Sequence, residues 1–139
     1  MMVSDVSGKT SQVPLAGYRI LVIEDEYFLA EDIGSVLRDF GADVVGPAGE
    51  VGDATAILDS GEAMDAAVLD VNLKNESIYP FADRLRAQKI PFVFTTGYDR
   101  SAIESRFKDV PLWEKPINVA AMAQSLAGLI LENARKPVV

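Results

Sequence analysis

The sequence predicts an α/β fold: a doubly wound five-stranded parallel sheet of order 2-1-3-4-5 with helices on both faces. Three observations predict it. Short apolar runs without polar alternation, such as Ala66-Ala67-Val68-Leu69, suit strands covered on both faces. Segments with apolar residues at helical spacing separate these runs, so strand and helix alternate five times. Right-handed crossovers then leave little but a parallel sheet flanked by helices, and five strands favour the order given. Finally, 139 residues, 49% hydrophobic and 24% charged, fit one domain with a substantial core.

Residues 1–17 are polar, rich in Ser, Gly and Thr, and aperiodic. They read as a mobile N-terminal tail, with Val13-Pro14-Leu15 able to pack onto the domain at 18–135. Tyr18 to Ile23 is the first strand and stops at Glu24-Asp25-Glu26. A helix follows with Leu29, Ile33, Val36, Leu37 and Phe40 on one face, ended by Gly41. Val44-Val45-Gly46 is a short second strand before Pro47, and a second helix runs from about Gly52 to Gly61, with Ala54, Ile57 and Leu58 inward. The third strand ends at Asp70. A polar loop, Asn72 to Ser77, leads to a short helix carrying Phe81 and Leu85. Pro91 to Phe94 is the fourth strand, closing in Thr95-Thr96-Gly97-Tyr98, and a weak helix with Ile103 and Phe107 is predicted between Asp99 and Asp109. Val110 to Trp113 is the fifth strand, ending at Glu114-Lys115-Pro116. The last helix carries Val119, Met122, Leu126, Leu129 and Ile130, and fades into a C-terminal tail at 136–139.

Composition narrows the chemistry. A net charge of −8 argues against a nucleic-acid surface, which needs a basic patch. No apolar run is long enough to span a bilayer, and no secretory signal is visible. With no Cys and no His, thiol chemistry and the commonest general base are absent. Nucleophiles must be carboxylates, hydroxyls or Lys, and a metal site must be oxygen-rich, which favours Mg²⁺, Ca²⁺ or Mn²⁺.

Open α/β sheets place their chemistry at the carboxyl edge of the strands. That edge would gather Glu24 and Asp25 after the first strand, Asp70 after the third, Thr96 after the fourth and Lys115 after the fifth. Asp25 to Asp70 and Asp70 to Lys115 are each 45 residues apart. Each residue alone has an ordinary explanation. Asp70 can cap a turn, the acids at 24–26 can complement a helix dipole, Thr96 can sit in a turn, and Lys115 can be a solvated charge. Together they describe a site for phosphoryl transfer onto Asp70. Clustered carboxylates call for a divalent cation, Thr and Lys suit phosphoryl oxygens, and a carboxylate can take the phosphoryl as an acyl phosphate.

The pattern Ile23-Glu24-Asp25-Glu26, Leu69-Asp70-Val71-Asn72, Thr96-Gly97 and Lys115-Pro116 resembles the receiver domain of bacterial two-component response regulators, a flavodoxin-like fold. Pro91 to Tyr98 further resembles the FATGUY group of single-domain receivers, with Thr95 in place of the group's Ala. The resemblance implies that Asp70 accepts a phosphoryl group from a histidine kinase, of the HWE type in many FATGUY-like systems, or from a phosphotransfer protein. It implies Mg²⁺, with Mn²⁺ as the alternative, bound by Asp25, Asp70 and the backbone carbonyl of Asn72, with Glu24 acting through water. Thr96 and Lys115 would bind phosphoryl oxygens, and the Lys115–Pro116 bond would be cis. Phosphorylation would shift a two-state equilibrium around Thr96 to Tyr98. Two positions depart from the family pattern. Leu112 stands where many receivers carry the switch aromatic, leaving Trp113 or Tyr98 for that role, and the loop after Asp70 lacks the common Met-Pro.

Competing readings are a receiver-like binding module without phosphorylation and an aspartyl-phosphate phosphatase, although the latter resembles Asp-x-Asp after a first strand. Gly46-x-x-Gly49-x-x-Gly52 lacks the dinucleotide spacing and reads as turn glycines. No effector domain is legible. Output is therefore expected through protein contact or competition for phosphate, in the cytoplasm, without nucleic acid or membrane.

Overall fold

The computed structural model describes residues 13–97 and 103–135. Five strands form one parallel sheet: β1 (Arg19–Ile23), β2 (Asp43–Ala48), β3 (Ala66–Asp70), β4 (Phe92–Thr96) and β5 (Leu112–Glu114), in the order β2-β1-β3-β4-β5. Among the described residues, four helices connect and flank them: α1 (Tyr27–Asp39), α2 (Val51–Asp59), α3 (Tyr79–Ala87) and α4 (Val119–Arg135). The predicted fold class and strand order are those observed.

Burial follows strand position. β3 and β4 lie inside the sheet and are buried at every residue, which their unbroken apolar runs allow. β2 and β5 are edges and stay partly exposed. Pro47 falls within β2, because an edge strand can spare its missing N–H, and the pairing with β1 is irregular between Leu21 and Ile23. Alternation divides the core. Leu21, Ile23, Leu69 and Phe94 face α2 and α3, meeting Leu58, Phe81 and Leu85. Ile20, Val22, Val68 and Val93 face α1 and α4, meeting Ile33, Leu37, Met122 and Leu126.

In the described part of the predicted tail, Leu15 packs onto the domain while Val13, Ala16 and Gly17 stay exposed. Leu15 is fully buried in the α1/α4 core, and its N–H donates to the Phe40 carbonyl at 2.9 Å. The turn after α1 accommodates it through Gly41, whose φ is +99° and whose Cβ, if it had one, would lie 2.8 Å from the Ala16 Cα. Residues 1–12 and 136–139, the rest of the predicted tails, lie outside the described residues, as does Tyr98. The helix predicted between Asp99 and Asp109 is, in its described part, a single 3₁₀ turn at Ser105–Phe107 that buries Phe107. Lys115–Pro116 is cis, as is Gly46–Pro47. No helix among the described residues is long and apolar enough to cross a membrane.

Candidate functional site

Parallel register brings the strand ends together. Ile23 pairs with Leu69, so Glu24 and Asp25 leave β1 beside Asp70 at the end of β3. Asp70 pairs with Thr95, and the Lys115 N–H donates to the Thr96 carbonyl at 2.8 Å, which brings the end of β5 alongside. All six predicted residues, Glu24, Asp25, Asp70, Asn72, Thr96 and Lys115, lie at this one rim.

Asp70 is fully buried. Its Oδ1 accepts the Asn72 N–H at 2.8 Å, so the turn-capping explanation holds for one oxygen. Its Oδ2 lies 3.4 Å from the Lys115 ammonium, so the second oxygen faces a cation that capping does not explain. The same ammonium is 3.4 Å from Glu24 Oε1 and 3.3 Å from Glu26 Oε2. Burial alone would lower the Lys115 pKa, but the charges of Asp70 and Glu24 and the hydrogen bond to Glu26 outweigh it and push it up.

Glu24 is 3% exposed. Its Oε2 accepts the Glu26 N–H at 2.9 Å, while Oε1 is buried and accepts no hydrogen bond. Desolvation pushes this carboxyl up to about 7, helped by the neighbouring Asp70 and opposed by the Glu26 N–H and Lys115. The helix-capping explanation fails for Glu26, which stands at the N-cap of α1 without a side-chain capping bond. Asp25 is partly exposed, and its Oδ2 accepts the Lys74 N–H at 3.0 Å from the loop after β3. Glu24, Asp25 and Asp70 each offer a carboxylate oxygen within 4.8 Å of the others. An open cleft of about 410 Å³, lined by Asp25, Gly49, Glu50 and Lys74, reaches this rim.

Thr96 is fully buried and its hydroxyl donates to Asn72 Oδ1 at 2.9 Å. The Gly97 N–H donates to the same oxygen at 2.7 Å. Sequence reasoning missed Glu26 as a third carboxylate on Lys115, although its place beside Glu24 and Asp25 was a usable signal. It also missed the Gly97 amide and the Asn72 carboxamide, since backbone donors and side-chain bridges leave no mark in residue type. A larger cleft, about 550 Å³, opens at the opposite end of the sheet between Arg86, Pro91, Pro111 and Leu129, away from every residue of this rim.

No family model matches the chain. Among solved structures, it is similar to SdrG from Pseudomonas melonis Fr1 in its BeF3-activated conformation, with 37% identity, a TM-score of 0.69, and 83% of this chain and 98% of that one covered. It is also similar to a response regulator receiver protein from Sinorhizobium medicae WSM419, with 26% identity, a TM-score of 0.74, and 84% and 96% covered. A curated relative, the transcriptional regulatory protein PdtaR of Mycobacterium tuberculosis, is 26% identical over 92 residues, 66% of this chain. The chain spans 44% of the length of that relative. With a doubly wound sheet, an acid-rich rim facing a lysine, and 37% identity to SdrG over 98% of that chain, the protein belongs to the response regulator receiver domains.

Proposed function

We propose that this protein accepts a phosphoryl group on Asp70 from a phosphohistidine of a kinase or phosphotransfer protein, and that the acyl phosphate switches its protein contacts. In that step the N–P bond to the donor imidazole breaks as an O–P bond forms to a carboxylate oxygen of Asp70, and the imidazole leaves. The observation that carries the reading is the Lys115 ammonium, held within 3.4 Å of Asp70 although the two are 45 residues apart. It is placed to neutralise charge on the incoming group. The Thr96 hydroxyl and the Gly97 N–H, both bonded to Asn72 beside Asp70, would serve as donors to the remaining oxygens.

The rim also fits Mg²⁺, with Mn²⁺ as the alternative. Its donors are oxygens only, and the buried Glu24 Oε1 accepts no hydrogen bond. Asp25, Asp70 and the Asn72 carbonyl would hold the ion, with Glu24 behind them. When bound, the ion supplies positive charge for the carboxylates and the phosphoryl oxygens. The Asp70 carboxylate is fully buried in the resting protein. The FATGUY-like Thr95-Thr96-Gly97 stretch belongs to this reading as the segment that responds, and the cytoplasm as the place where a kinase would be met.

Incubation with acetyl phosphate and Mg²⁺, followed by intact-mass measurement, tests the reading. Wild type should gain one phosphoryl group and Asp70→Asn none. Equal labelling of the two would overturn the assignment of Asp70.

A further inference from the structure

We propose that the Asn72 carboxamide is an internal stand-in for a phosphoryl oxygen: it occupies the Thr96 and Gly97 donors in the resting protein and must be displaced when Asp70 is loaded. This rests on Asp70 being the phosphoacceptor. Asn72 Oδ1 accepts two hydrogen bonds at once, from the Thr96 hydroxyl at 2.9 Å and from the Gly97 N–H at 2.7 Å. Its own N–H donates to Asp70 Oδ1 at 2.8 Å, so one residue spans the acceptor carboxylate and the end of β4.

The competition follows from proton counting. A hydroxyl has one proton and a backbone amide has one, so neither can serve the carboxamide and a phosphoryl oxygen together at full strength. Thr96 is fully buried, so its hydroxyl has no contact with bulk solvent in the resting protein. A phosphoryl oxygen is charged and the carboxamide oxygen is neutral, and charge-assisted bonds are about twice as strong. The exchange therefore runs toward the phosphoryl while Asp70 is loaded and back to Asn72 once it is hydrolysed. Asn72 is a positioning residue here. It sets how far the resting arrangement resists loading, without touching the reacting bond.

The opposing expectations separate cleanly. A merely structural Asn72 would weaken the site when truncated, whereas a competing Asn72 would strengthen it. Mg²⁺-saturated wild type, Asn72→Ala and Asp70→Asn are titrated with beryllofluoride by calorimetry. Asn72→Ala should bind at least threefold more tightly than wild type, because each neutral hydrogen bond is worth roughly two- to tenfold and the truncation removes two, and Asp70→Asn should not bind. A folded Asn72→Ala that binds equally or more weakly overturns the proposal while leaving Asp70 as acceptor. A wild type that takes no beryllofluoride overturns both readings. Should Asn72→Ala fail to fold, wild type alone decides. The coupling across the hydrogen bond between the Gly97 amide nitrogen and the Asn72 carboxamide carbon should be present at rest and lost with beryllofluoride, and its persistence would overturn the exchange.

Discussion

Glu24 is the residue at which burial and charge are most at odds. Desolvation raises its carboxyl from 4.5 to about 7, against the pull of the Glu26 N–H and Lys115. The folded protein thus holds the Glu24 proton more tightly than the unfolded chain does. The stability this contributes is fully present below about pH 4.5 and is lost as pH rises through about 7. Metal-free Glu24→Gln should therefore gain on wild type as pH rises from 5 to 8, by up to about 3 kcal/mol at 1.36 kcal/mol per pKa unit. Denaturant unfolding at the two pH values measures this, and a constant difference between the proteins would refute it. The presence of Glu24, Asp70 and Lys115 at one rim was legible in residue type and spacing. That Glu24 Oε1 is buried with an ion pair to Lys115 but no hydrogen bond was not, because it depends on how the carboxylate is turned inside a packed site.

At the scale of elements, the stretch between β4 and β5 shows where periodicity stops being informative. Ile103 and Phe107 are both buried, as the sequence suggested, but a 3₁₀ turn rather than a helix carries Phe107. Tertiary contacts fix that turn. The Phe107 ring stacks on Tyr79 at 5.3 Å and meets Phe94 edge-on at 5.5 Å, and Arg86 donates to the Arg106 carbonyl at 3.0 Å. Arg106 pairs with Asp83 on the surface of α3. Phe107→Ala should cost about 3–5 kcal/mol, as large-to-small changes of buried aromatics do. Arg106→Ala should cost far less, because exposed ion pairs are screened by solvent. Thermal or denaturant melts of the two variants rank them, and a reversed ranking would place the hold on this segment in its charges rather than its rings.

For the molecule as a whole, the sheet works as a jig that turns sequence distance into proximity. Three acids, a hydroxyl and an ammonium come from the ends of β1, β3, β4 and β5 and meet only when those four strands have paired. Binding to that assembled rim alone stabilises the fold by RT ln(1 + [L]/Kd), about 2.7 kcal/mol at a hundredfold excess over Kd. The melting temperature should rise with added Mg²⁺, and rise less in Asp25→Ala. An equal rise in both proteins would place the ion elsewhere.

The sequence by itself determined the fold class, the strand order and that Glu24, Asp25, Asp70, Asn72, Thr96 and Lys115 share one rim, though not the part played there by Glu26 and Gly97. Each of these follows from properties a chain carries locally: unbroken apolar runs, helical spacing, and charged residues where a run stops. The tertiary structure alone decided that Leu15 belongs to the core, that Lys115 is shared among Glu24, Glu26 and Asp70, and that the Asn72 carboxamide holds Thr96 and Gly97. These are facts of direction and distance between groups remote in the chain, and hydrogen bonds that act over about 3 Å exist only after packing has fixed both partners.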